Sequence, residues 1–281
     1  MANLRGKTAL VLGGIRGIGK ACALALAREG ANVAVNWFDW ETDLPALERD
    51  LSEAPGDHVV LRTNLLDTGA VPEMVGSVAK RYGGLDILVN NIERGGWPVV
   101  HGPYTKEQWD LEFATTLRAK WWAFDAALPY LRAGGNGCVV NVSSIAGLVG
   151  RAGPASLVFS DGYAAANRGV ETLTRTWARL GAPDVRVCEL MLGLFDTRHG
   201  PGTRGWEALS REQRQALLDH IPLGRTGSVE DAAKAVVFLT RDAVYMTGAI
   251  LRLDGGYVLG GEEVAPMPPG IVSPDESVFG E

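Results

Sequence analysis

Cysteine is scarce in this chain: Cys22, Cys138 and Cys188 are the only three in 281 residues, each in an apolar segment and far apart in sequence. That pattern excludes a disulfide framework and fits reduced thiols packed in a core. Basic runs are missing too, and 27 Lys and Arg against 33 Asp and Glu leave a net charge of −6. Nucleic acid and anionic membrane are therefore not expected partners. No apolar stretch approaches the roughly 20 residues that a membrane helix needs. The opening Met1-Ala2-Asn3-Leu4-Arg5 has no signal-like apolar region, so the chain reads as cytoplasmic. The four histidines, His58, His101, His199 and His220, lack metal-ligand spacing with cysteines or acids, and no metal is expected.

What is present points to one large α/β domain. With 46% hydrophobic and 21% charged residues the chain can bury a full core. Gly13-Gly14-Ile15-Arg16-Gly17-Ile18-Gly19 follows a short apolar run at 8–12 and precedes an alanine- and leucine-rich helical pattern. Strand, glycines and helix in that order place unpaired backbone N–H groups where an anion can meet them. The glycines give backbone angles other residues avoid and let a pyrophosphate approach. Further β-rich runs at 33–37, 58–62, 87–90, 138–142, 185–191 and 249–253 alternate with helical patterns at 17–29, 71–82, 106–131, 163–180 and 229–239. This alternation predicts a parallel sheet of about seven strands with helices on both faces, a Rossmann-like domain over 1–257. Residues 194–220, with Arg198, Arg204 and Trp206, read as a lid over a ligand crevice that would suit an anionic or aromatic ligand. The proline-rich, acidic tail at 258–281 has no period and reads as disordered or strapped onto a neighbouring subunit.

Beyond the glycine loop come Leu88-Val89-Asn90-Asn91, Asn141-Val142-Ser143-Ser144-Ile145-Ala146-Gly147, Tyr163-Ala164-Ala165-Ala166-Asn167, Ile221-Pro222-Leu223-Gly224-Arg225-Thr226-Gly227 and Asp254-Gly255-Gly256. In this order they resemble the short-chain dehydrogenase/reductase superfamily from about residue 7 to 257. The resemblance implies NAD or NADP as cofactor, held by Gly13, Arg16, Gly17, Ile18, Gly19, Asn64, Asn90, Gly193 and Thr197. It also implies a reaction between a ketone and a secondary alcohol. Tyr163 would exchange the proton of the substrate oxygen and Ser144 would hold that oxygen. Partners implied are a small-molecule substrate and further subunits, as a homodimer, a homotetramer or a hetero-oligomer with an active homologue.

Several positions depart from the family pattern. Its lysine four residues after the tyrosine is Asn167, which can bond a ribose hydroxyl but supplies no charge. An adjacent cation lowers a tyrosine's pKa by roughly 1–3 units, so activity is expected to rise in Asn167→Lys. Arg168 is one residue off the required helical face. Nineteen residues separate Ser144 from Tyr163 where the family has about thirteen, so 150–160 should hold an insertion beside the substrate. Ile92 and Glu93 replace small residues lining the cofactor, with Glu93 open to reading as a substitute acid or base or as an exposed loop carboxylate. Thr116 replaces the family's helix asparagine and Leu192 its proline. Arg16 leans the cofactor choice toward NADP, whereas the end of the second strand carries Trp37 and Phe38 in place of a deciding charge. Two other readings stay open: a non-catalytic subunit that pairs with an active homologue, and a lyase or cyclase reusing the same cleft. Trp121 and Trp122 read as core or interface.

Overall fold

A computed structural model describes residues 4–93, 104–197 and 204–268. Among them, seven strands form one parallel sheet in the order β3-β2-β1-β4-β5-β6-β7. They are β1 (Thr8–Leu12), β2 (Asn32–Trp37), β3 (His58–Arg62), β4 (Ile87–Asn90), β5 (Gly137–Ser144), β6 (Val185–Leu192) and β7 (Ile250–Leu253). β1, β4 and β5 are buried along their whole length, because helices cover both faces of a parallel sheet. The sequence pattern locates all seven; β5 runs three residues longer than expected and β6 one.

The helices are α1 (Gly17–Arg28), α2 (Leu44–Ser52), α3 (Ala70–Tyr82), α4 (Lys106–Phe113), α5 (Ala119–Ala133), α6 (Ala146–Val149), α7 (Asp161–Gly181), α8 (Arg204–Glu207), α9 (Arg211–Asp219) and α10 (Val229–Val237). The expected single helix over 106–131 is α4 and α5 joined by a π-helical turn, Ala114–Arg118. Such a turn inserts one extra residue and re-aims the side chains after it, a feature common at functional sites. α2 and α9 had no expected counterpart; both are short amphipathic helices whose apolar positions are too few to stand out from loop.

One core lies under α1 and α10 and includes Leu26, Val33, Val35, Cys138 and Cys188; the opposite core lies under α3, α5 and α7. There Phe124 and Trp177 stack at 4.3 Å between ring centroids. All three cysteines are buried and free. Burial pushes the Cys22 and Cys138 thiols up to about 12, so they are inert core groups. No helix of the described residues is long and apolar enough to cross a membrane.

Strand order reverses between β1 and β4, since β2 and β3 lie to one side and β5 to β7 to the other. In open α/β sheets the ligand crevice lies outside the carboxyl ends of the strands at this switch point. The glycine loop leaves β1 there and Asn91-Ile92-Glu93 leave β4. A third apolar cluster gathers Ile145, Phe159, Tyr163, Leu194, Trp206, Leu209, Leu217 and Tyr257 at this same end. Trp206, expected to face a ligand from the lid, is instead 4% exposed within that cluster. Its indole is bulky apolar surface that the α8–α9 segment must bury to stay folded against the domain.

Candidate active site

The glycine loop is shaped by close backbone approach. A Cβ at Gly13 would lie 2.8 Å from the Asn91 carbonyl, and one at Gly19 would lie 2.3 Å from the Gly13 carbonyl and 2.5 Å from Asn91 Nδ2. Asn91 Nδ2 donates to the Gly13 carbonyl at 3.2 Å, which ties the ends of β1 and β4 together. Gly17 takes φ +55° at the first position of α1, where a Cβ would lie 3.3 Å from the Thr197 methyl. Ile18 packs on the core beneath. Arg16 precedes α1 in extended conformation, and no side chain caps that terminus or places an acid in its first turn. The first-turn N–H groups are thus left for an anion, and the cradle fits a dinucleotide pyrophosphate.

Beside the loop, β2 ends in a basic and aromatic cluster. The Arg16 guanidinium sits 4.4 Å from the Trp40 ring centroid and 3.7 Å from Asp43, and Arg62 lies over Trp37 at 5.2 Å. Asn64 Oδ1 accepts from Leu66 N at 3.0 Å, fixing the turn after β3. Asn90 is fully buried and donates to Asn141 Oδ1 at 2.8 Å across the β4–β5 pair, while its own Oδ1 has no partner among the described residues. Gly193 packs against the backbone of Asp254, where a Cβ would come within 2.7 Å, and Thr197 lies beside Gly17.

Ser144 is the last residue of β5 and Tyr163 lies in the first turn of α7; both are nearly buried. Asn167 joins them. Its Oδ1 accepts from the Ser144 N–H at 2.9 Å and its Nδ2 donates to the Tyr163 carbonyl at 3.0 Å. The amide clamps strand end to helix, and it does so from a fully buried position. Ser144 Oγ accepts from Ala146 N at 3.1 Å, which orients the hydroxyl. Arg168 points elsewhere, paired with Glu171.

The Tyr163 hydroxyl donates to Glu93 Oε2 at 2.8 Å. Glu93 is therefore half-buried against Tyr163, not an exposed loop carboxylate. The start of α7 is held by a buried carboxylate, Glu112, which accepts from Ser160 Oγ at 2.5 Å and from the Tyr104 hydroxyl. Ser160 in turn caps the helix by accepting from Tyr163 N. The long gap between Ser144 and Tyr163 is folded: α6 and a tight turn at Gly153–Leu157 bury Ala155, Val158 and Phe159, with the Phe159 ring 5.9 Å from that of Tyr163.

Two residues had no place in the sequence reading. Lys120, fully buried on α5, donates to the Ile92 carbonyl at 2.7 Å. Glu189, fully buried on β6, accepts from Ser143. A charge inside the apolar run of β6, and another one turn beyond Thr116 on a buried helical stripe, were the available signals. Thr116 is buried with its hydroxyl unpartnered. Trp121 is 40% exposed on α5 and Trp122 packs partly on the core. His101, His199, Arg198, the Arg204 side chain and the tail from 269 lie outside the described residues.

Residues 13–258 match a family profile described as enoyl-(acyl carrier protein) reductase. The chain is 35% identical over 260 residues to the 3-oxoacyl-(acyl-carrier-protein) reductase FabG of Thermotoga maritima, covering 91% of this chain and 99% of that protein. It is 33% identical over 254 residues to the Staphylococcus aureus protein of the same name, covering 89% and 97%. A Sinorhizobium meliloti crystal structure assigned to the short-chain alcohol dehydrogenases superposes with a TM-score of 0.80 at 30% identity, covering 92% of this chain and 98% of that one. The chain belongs to the short-chain dehydrogenase/reductase family. It is an oxidoreductase of the NAD(P)-dependent kind.

Proposed function

We propose that this enzyme interconverts a ketone and a secondary alcohol with a preference for NADP over NAD. The observation that carries the reading is the buried Tyr163 hydroxyl, anchored through Asn167 to Ser144 and bonded to Glu93 at the switch point of the sheet. Gly13, Gly17, Gly19 and the α1 N-terminus would hold the pyrophosphate, and Gly193 and Thr197 would border the nicotinamide. A nicotinamide bound there supplies or accepts the hydride. Ser144 holds the substrate oxygen as charge develops on it. Tyr163 gives its proton to that oxygen in the reducing direction, and a proton taken up from solvent returns to the tyrosine by way of the Glu93 carboxylate. Arg16 supports the NADP preference, because an ion pair of 3.7 Å at the surface is worth at most about 1 kcal/mol and yields readily to a 2′-phosphate.

The named relatives make 3-oxoacyl thioesters the first ketones to try. Half-exposed Trp109, Trp121 and Tyr130 on α4 and α5 support assembly of identical subunits through these helices. The test is NADPH consumption with 3-oxoacyl thioesters and simpler ketones, for wild type and Tyr163→Phe. The reading expects turnover that falls by roughly 10²–10⁴-fold in the variant. Substrate conversion without any change in nicotinamide absorbance would favour a lyase instead.

A further inference from the structure

Lys120 is a cation where a cation is costly. It lies in α5 with Ala123 and Ala127 on the same buried stripe and Thr116 in the π-helical turn before it, and no part of it reaches water. Helical side chains tilt toward the N-terminus, and its four-carbon stem reaches the residues that follow β4. There the ammonium donates to the Ile92 carbonyl, its one hydrogen-bond partner among the described residues. Burial pulls it down to about 8, and the carboxylates of Glu93, beyond β4, and Glu189, on β6, act in the opposite direction. Glu171, on α7, presses on Glu189 in turn. A buried ammonium with a single neutral acceptor is not explained by stability, since desolvation outweighs what such a contact returns.

We propose that Lys120 is the cation of this active site, a positioning residue on α5 that acts on Tyr163 through Glu93. The inference rests on the reading of Tyr163 as the group that gives up a proton. When the Tyr163 O–H bond breaks and an O–H bond forms on the substrate, the Tyr163–Glu93 pair gains one negative charge. Asn167 has no charge to offset it, and both its polar atoms are occupied by backbone. The Lys120 ammonium, held on the carbonyl of Ile92 next to Glu93 and acting on Glu93 through its charge, stabilises the pair until a proton returns from solvent through Glu93.

The test uses the full chain with labelled lysine side chains, followed by NMR as pH rises. Among the six lysines, one absent from the Lys120→Arg spectrum should titrate near pH 8, well below the others. In Glu93→Gln it should titrate lower still. A Lys120 that titrates with the rest, or is unmoved by Glu93→Gln, overturns the proposal. In turnover with NADPH and a ketone, Lys120→Met should lower kcat roughly ten- to hundredfold with little change in the KM for NADPH. Lys120→Arg should recover part of that loss, and the alkaline limb of kcat near pH 8 should vanish in Lys120→Met. An unchanged limb, with the same loss in Glu189→Gln as in Lys120→Met, would mean a structural ion pair and refute the proposal. Should Lys120→Met fail to fold, the titrations of wild type and Glu93→Gln decide. Absence of any ketone turnover in wild type sinks the functional reading, whereas the Lys120–Glu93 coupling is read without turnover.

Discussion

Replacing Glu189 by glutamine removes one buried charge and almost no volume. The carboxyl sits in β6 out of reach of water, with Oε1 accepting from Ser143 and Oε2 without a partner. Burial pushes it up to about 7 from 4.5, more than the bond from Ser143 and the charge of Lys120 pull it down. Its folded pKa is raised, so the native state keeps a proton that the unfolded chain releases. The stability this group contributes is whole below about pH 4.5 and lost as pH rises through 7. A shift of about 2.5 units at 1.36 kcal/mol per unit makes that loss about 3 kcal/mol in wild type, and glutamine does not suffer it. Removing Glu189 also takes one of two carboxylates from Lys120, so the net gain falls below that figure. At roughly 2–4 °C per kcal/mol for a large domain, Glu189→Gln should melt about 5 °C higher, relative to wild type, at pH 8 than at pH 5. Scanning calorimetry of both proteins in the two buffers reads this directly. A melting difference that is the same at both pH values, or larger at pH 5, refutes the reasoning.

Asn167→Lys takes the acceptor from the Ser144 N–H and the donor from the Tyr163 carbonyl, two bonds in a fully buried place. It should cost roughly 1–3 kcal/mol by urea unfolding, with no gain in kcat, because the charge already comes from Lys120. A faster, equally stable variant would contradict both statements and restore the expectation drawn from the family pattern. Gly19→Ala forces a Cβ onto the Gly13 carbonyl and Asn91 Nδ2, so it should weaken NADPH binding by tenfold or more in a fluorescence titration and lower Tm.

The fold was readable because its signals are local. Buried parallel strands appear as short apolar runs, and the glycine loop announces itself through residues whose missing Cβ atoms are needed for backbone contacts. Ser144 and Tyr163 were singled out by their neighbours in sequence, since the spacing between them departs from the family's, and the structure joins them through Asn167. Asn167 was legible as a departure, yet its work as a clamp was hidden, because which backbone groups its amide meets depends on how β5 abuts α7. Lys120 and Glu189 were missed for a similar reason. Each is one charged residue in an apolar pattern, and only the register of β4, β5 and β6 under α5 and α7 places them near Glu93 and Ser143. The π-helical turn at Ala114–Arg118 leaves no mark in residue type, since its extra residue is absorbed within a continuous helical pattern.

The central claim is that the crevice between β1 and β4 holds a nicotinamide dinucleotide for use by Tyr163. Titrating the purified chain with NADPH and with NADH, by nicotinamide fluorescence and calorimetry, tests it most directly. The account predicts binding of one nucleotide per chain at roughly micromolar to millimolar concentrations, tighter for NADPH, with that preference lost in Arg16→Ala. Binding of neither nucleotide would contradict it.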